Sequence, residues 1–346
     1  MALCALCALC ARAGRRFENR RGQVFRLTKQ PCGGPTPTPE TSVTPPTTRI
    51  QTGGNFYLPL MKSYLSGPIA VVSFATLTLL TPHDAPAASL VRSVGGDSVA
   101  ATITPTRDQF RVDVGGGTTA GANGSFGGLR REINWDGVAA TSAAPNLLAP
   151  NFFNARGVLF GGPGTGFEVS SATTDAGAGQ PAAAEFGNIN ANYTAAFGVF
   201  SAQRLFTALG SNITDVTFFL PGTTTPATVS AFGAVFTDVE TLGGTTLQFF
   251  TPASVSLGIF PVPVGTVADG SLSFLGVSFN AGEQIGRVRI TSGNAALGAA
   301  VNDNPGGGVD LVVMDDFIYS EPVPEPSALV LSVVGLAGCL LRKKRK

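Results

Sequence analysis

The chain has 346 residues, among them 44 glycines, 24 prolines and 24 phenylalanines, and only 13% are charged. Glycine and proline at this density punctuate short strands and argue for a loop-rich β protein over a helical one. The net charge of +1 hides an asymmetry: residues 88–326 hold nine arginines, no lysine and nineteen acids, a formal −10, while the remaining positive charge sits in the first 62 residues and the last five. An acidic middle excludes nucleic acid as a partner, since phosphate binding needs clustered Lys and Arg.

Residues 1–60 open with the repeat "ALCALCALC" and continue Arg- and Pro-rich without hydrophobic periodicity. They read as disordered or as mis-assigned upstream sequence, with Met61 as the initiator. Cys4, Cys7 and Cys10 have the spacing of a metal-cluster motif, but a perfect Ala-Leu-Cys repeat reads as low complexity. Residues 61–88 form a signal peptide in outline: Lys62, an apolar run from Gly67 to Leu80, then small residues at Ala85 and Ala87. Cleavage is expected after Ala87 or Ala88, which removes His83, the one histidine.

From 89 to 320 the chain alternates short apolar runs with turn residues. "QFRVDVG" alternates as a strand does. "VTFFLPG" ends at a turn, and "VSAFGAVFTDVE" puts Phe232, Ala234 and Phe236 on one face. "TTLQFFT", "SVSLGIFPV", "LSFLGVSFN", "GRVRITSG" and "VDLVVMDDFIYS" follow. "AQRLFTAL" (202–209) is the best helical candidate. "GGPGTG" (161–166) reads as a hairpin or loop, since no βαβ unit surrounds it. The expected fold is all-β: one antiparallel β-sandwich or jelly roll, with phenylalanine filling the space between two sheets.

The body has no histidine, cysteine or lysine. That removes Ser-His-Asp and Cys-His catalysis, zinc and copper ligation by imidazole or thiolate, and lysine chemistry. Carboxylates remain. Glu132 and Asp136 flank Trp135 in "RREINWDG", a pairing a glycan hydrolase could use. Against it stands a plain reading, with Trp135 as a core anchor and Arg130, Arg131, Glu132 and Asp136 on an exposed surface. Asp303, Asp310, Asp315 and Asp316, near Asn302 and Asn304, offer oxygen ligands for a structural Ca²⁺ without EF-hand spacing. Their plain reading is a turn into a last strand, with Asp315 or Asp316 paired to Arg287 or Arg289. No other cofactor is expected.

The end of the chain has three parts: Pro324-Glu325-Pro326, an apolar run over residues 328–341, and five basic residues. Fourteen apolar residues span about 21 Å as a helix, short of a full bilayer crossing unless the basic end snorkels. Positive charge at that end favours the cytoplasmic side. The arrangement resembles the PEP-CTERM sorting segment of bacterial exported proteins, over residues 323–346. That resemblance implies signal peptidase and an exosortase as processing partners, with Pro324, Glu325 and Pro326 as recognition residues. It also implies a transmembrane helix at 328–341 that anchors the precursor in the inner membrane before sorting to the cell surface or extracellular matrix. Strands such as "FGAVFTDVE", "LSFLGVSF" and "MDDFIYS" are similar in pattern to lectin-like jelly rolls, which makes polysaccharide a candidate ligand. The expected role is non-enzymatic, structural or adhesive. A carboxylate-based hydrolase and a matrix component without a small ligand are the alternatives.

Overall fold

The structure is a computed structural model and describes residues 88–118, 124–175 and 184–325. Residues 61–87 of the expected signal segment, among them Ala85 and Ala87, together with Pro326 and the apolar tail, lie outside the described residues. Among the described residues no helix is long and apolar enough to cross a membrane.

Two antiparallel sheets carry the fold, as the all-β expectation requires. The larger contains β1 (Ser89–Gly95), β2 (Gly124–Ser125), β3 (Arg130–Ile133), β5 (Gly166–Val169), β6 (Phe206–Leu209), β9 (Ala231–Thr237), β12 (Leu272–Phe279) and β14 (Val313–Ser320). Its order is β1-β12-β9-β14-β3-β2, with β6 bridged to β14 and β5 paired to β6. The smaller sheet contains β4 (Val158–Gly161), β7 (Ile213–Phe218), β10 (Thr246–Phe250), β11 (Ser256–Pro261) and β13 (Arg287–Thr291), in the order β11-β10-β13-β7-β4. A short separate pair joins β8 (Ala227–Thr228) to β15 (Val323–Pro324).

Period two decides what packs between the sheets. Phe232, Ala234 and Phe236 of β9 face inward with Val277 and Phe279 of β12 and Phe317 and Tyr319 of β14. They share one core with Val216, Phe218, Leu247, Phe249, Val288 and Ile290 of the smaller sheet. Strands β7, β10 and β13 alternate buried and half-buried residues, so the far side of that sheet meets solvent. Strands β9, β12 and β14 are buried along their whole lengths. Their second face is covered by a helix, α1 (Thr104–Asp113).

That helix replaces the strand expected at "QFRVDVG". Pro105 stands in its first turn, where a missing N–H costs nothing. Ile103, Arg107, Phe110 and Arg111 are buried at spacings of three and four, while Val112 is exposed. Two of the inward positions are arginine, so the apolar residues left in view, Phe110, Val112 and Val114, mimic a strand. Phe110 packs over Gly233 and Gly276, which lie opposite each other in β9 and β12. A Cβ on Gly276 would stand 2.6 Å from the Phe110 ring, so the glycine pair forms the seat for that side chain. Burying the ring contributes roughly 1.5–3 kcal/mol.

The helix expected within residues 202–209 is instead strand β6, over Phe206–Leu209. Phe206, Thr207 and Ala208 are all buried there, and Phe206 is drawn against the Trp135 ring. "GGPGTG" is a loop, and it carries the chain from β4 in the smaller sheet to β5 in the larger one rather than closing a hairpin.

Candidate functional site

Glu132 lies on β3 beneath α1. Arg111 holds both its oxygens, Nε to Oε1 and Nη2 to Oε2 at 2.7 Å each, and Arg130 Nε adds a bond to Oε1 at 2.8 Å. Arg111 also reaches Asp108, and Arg107 joins Asp108 to Asp316. Arg130 and Glu132 are therefore buried members of an ion-pair network, not the exposed surface expected of them. Trp135 is the core anchor. Its ring stacks on Phe206 with centroids 4.1 Å apart, and its Nε1 donates to the Asp315 carbonyl at 2.8 Å. With 1% of its surface exposed, it has no face free to stack on a sugar.

The four aspartates expected together divide into two groups. Asp315 and Asp316 occupy a β-bulge, where β14 slips register against β9 between Met314 and Phe317. The extra residue turns both carboxyls away from the sandwich core. Asp315 accepts from the Phe200 amide at 2.7 Å, the Ser201 amide at 3.2 Å and the Ser201 hydroxyl at 3.0 Å, pinning that loop. Burial and then the charge of Asp316 push its carboxyl well above the usual range. Asp316 pairs Arg107, while Arg287 and Arg289 both go to Asp215. The expected partnership of Asp315 or Asp316 with Arg287 or Arg289 is thus replaced, because β13 lies in the other sheet.

Asp303 and Asp310 join a second group that the sequence pattern did not show. Asp238 and Glu240 follow β9 directly, and oxygens of Asp238, Glu240 and Asp303 all lie within 4.8 Å of one another. Asp238 has a left-handed backbone, φ 72°, which turns the chain out of the strand. Its Oδ1 accepts from the Gly270 amide at 3.2 Å, and its Oδ2 has no partner. Asp303 Oδ1 accepts from the Leu311 amide at 2.7 Å, and Asp310 Oδ2 from the Thr241 amide at 2.9 Å. Glu240 Oε2 and Asp310 Oδ1 are buried without partners too. Burial, then the charges of Glu240 and Asp303, raise the Asp238 carboxyl to about 9. Burial and Asp303 raise Glu240 to about 8. Asp303 and Asp310 are also raised, chiefly by burial. The signal available in sequence was two carboxylates at i and i+2, "TDVE", at the mouth of a strand apolar up to its last residue, Thr237.

Pro324 and Glu325, the residues expected to carry a sorting motif, sit at the other end of the sandwich. Pro324 is exposed on β15, opposite Ala227 of β8. Ala88, at the expected cleavage position, donates its N–H to Glu283 Oε1 at 3.1 Å, and its carbonyl accepts from Asn280 at 3.3 Å. Asn280 and Glu283 line one groove with Thr228, Glu321 and Val323. Chain entry and chain exit meet there.

In comparisons with known proteins, no family model, curated protein or solved structure matches the chain.

Proposed function

We propose that the chain is an exported β-sandwich protein with a structural or adhesive role. In this reading its precursor is held in the inner membrane by residues 328–341 and sorted to the cell surface or extracellular matrix through Pro324, Glu325 and Pro326. The observation that carries it is the shared groove: Ala88 and Val323 both contact the surface formed by Thr228, Asn280 and Glu283. A body tethered first by a signal peptide and then by a tail needs both junctions on one side, where membrane enzymes reach them. Cleavage after Ala87 leaves an α-ammonium at the position where the Ala88 N–H already meets Glu283. A non-enzymatic role is supported by Glu132, whose two oxygens are taken by arginines. Polysaccharide is the ligand class to test.

The intact mass of the protein from its native cells is the test. The reading expects a mature chain starting at Ala88 or Ser89, recovered outside the cytoplasm and shortened at the C-terminus. An uncleaved chain recovered from the cytoplasm sinks it. A glycan array with the same material examines the adhesive role, and a hydrolysis assay with Glu132→Gln examines the hydrolase alternative.

A further inference from the structure

The group of Asp238, Glu240, Asp303 and Asp310 is drawn from two loops and braced by the backbone of a third. Asp238 and Glu240 leave β9, Asp303 and Asp310 precede β14, and the Gly270 amide that binds Asp238 precedes β12. Asp238 and Asp310 are both 0% exposed, and each keeps one carboxylate oxygen without a hydrogen-bond partner. Unpartnered buried carboxylate oxygens are costly, since desolvation is uncompensated. The charges acting most on the group are its own and that of exposed Asp269. Among the described residues, the ion pairs of the arginines go to other acids, Asp108, Asp113, Glu132, Asp175, Asp215, Asp316 and Glu321.

We propose that Asp238, Glu240 and Asp303 hold one Ca²⁺ ion, with Asp310 beside them, and that the ion ties the β9–β10 loop to the β13–β14 loop at the end of the sandwich away from the chain junctions. The donor set is all oxygen, which suits a hard cation and not zinc or copper. Calcium takes six to eight oxygens in flexible geometry, and a site spread over two loops meets that demand better than the strict octahedron of Mg²⁺. Asp238 gives the site its rigid floor, while half-buried Glu240 and Asp303 leave an entry path from solvent. The inference is independent of the export reading, because it concerns residues of the body alone.

The experiment uses the full-length chain in detergent, stripped with chelator and dialysed against CaCl₂ or MgCl₂. Bound metal is measured directly, and thermal unfolding is followed by the emission of Trp135. One Ca²⁺ per chain and a higher melting temperature are expected, with affinity in the range of extracellular modules, about 10⁻⁴–10⁻³ M. Asp238→Asn and Asp303→Asn each weaken calcium binding at least about tenfold, through the loss of one ligand charge. Asp136→Asn, outside the group, leaves it unchanged. Both substitutions are close to isosteric and keep an oxygen for the Gly270 and Leu311 amides, so without metal they melt close to the stripped parent and remain interpretable. The proposal is overturned if the folded parent takes up no calcium by about 10 mM, if both ligand variants bind as the parent does, or if Mg²⁺ binds more tightly than Ca²⁺.

Discussion

At Asp136 two effects push the same way. Partial burial disfavours the charged carboxylate, and the negative charge of Asp316 adds to it, so the group titrates at about 6. The Arg204 amide, donating to Oδ1 at 3.3 Å, only partly offsets them. A carboxyl raised on folding binds its proton more tightly in the native state, so its contribution is favourable below its unfolded value and is lost as pH rises through about 6. Asp136→Asn keeps the acceptor for Arg204 and cannot ionise. The parent's stability relative to this variant is therefore expected to fall between about pH 4 and pH 6 and then level off. Urea midpoints of both proteins across that window, in calcium-free buffer, measure it; parallel curves would show that Asp136 titrates normally. Trp135 was legible as a core anchor because a lone tryptophan between charged residues offers no stacking platform. The environment of Asp136 was not legible, since Asp316 reaches it only through a bulge 180 residues away in sequence.

Strands β7 and β9 to β14 were readable because one face of each packs into a single core; the short pair of β8 and β15 was not. Helix α1 was hidden by its arginines, whose reason lies in β3 and β14. Arg107 and Arg111 bury their guanidinium groups under the helix because Glu132 and Asp316 wait there. Arg130 completes the charge balance at Glu132 from the same strand. Such a network stabilises little over a well-packed apolar equivalent, but removing one partner strands the others. Glu132→Gln leaves Arg111 and Arg130 facing a neutral amide in a buried site. A loss of about 3 kcal/mol or more is expected in equilibrium urea unfolding. In the Arg111→Met background the same change costs measurably less, because the two residues act as a unit. A cost under about 1 kcal/mol in the parent would mean that water or rearrangement already satisfies these arginines. The bulge in β14 belongs with the helix: one extra residue in register cannot be seen in an apolar pattern, yet it sets Asp315 against Phe200 and Ser201 and Asp316 against Arg107.

Across the whole molecule the two sheets are interleaved along the chain. After β9 in the larger sheet come β10 and β11 in the smaller, then β12 in the larger, β13 in the smaller and β14 in the larger. The first strand pairs late in sequence, Ser89 opposite Phe279, and β3 waits for β14, Ile133 opposite Phe317. No contiguous stretch of the body contains a finished sheet, and the shared core between them draws on strands from β3 to β14. Neither sheet can bury its apolar face alone, so each depends on the other for stability. The body is therefore expected to unfold in one transition, with Trp135 fluorescence and far-UV circular dichroism coincident in urea. Trp135 is placed to report on that event: it sits among Phe153, Phe160, Phe206 and Phe317, which come from both sheets and the loop before β4. Refolding should be slow for its size, on the order of milliseconds to seconds, since most pairings close long loops. A separate early transition in circular dichroism, with Trp135 still buried, would show that the smaller sheet melts independently. The interleaving would then be a matter of topology without energetic consequence.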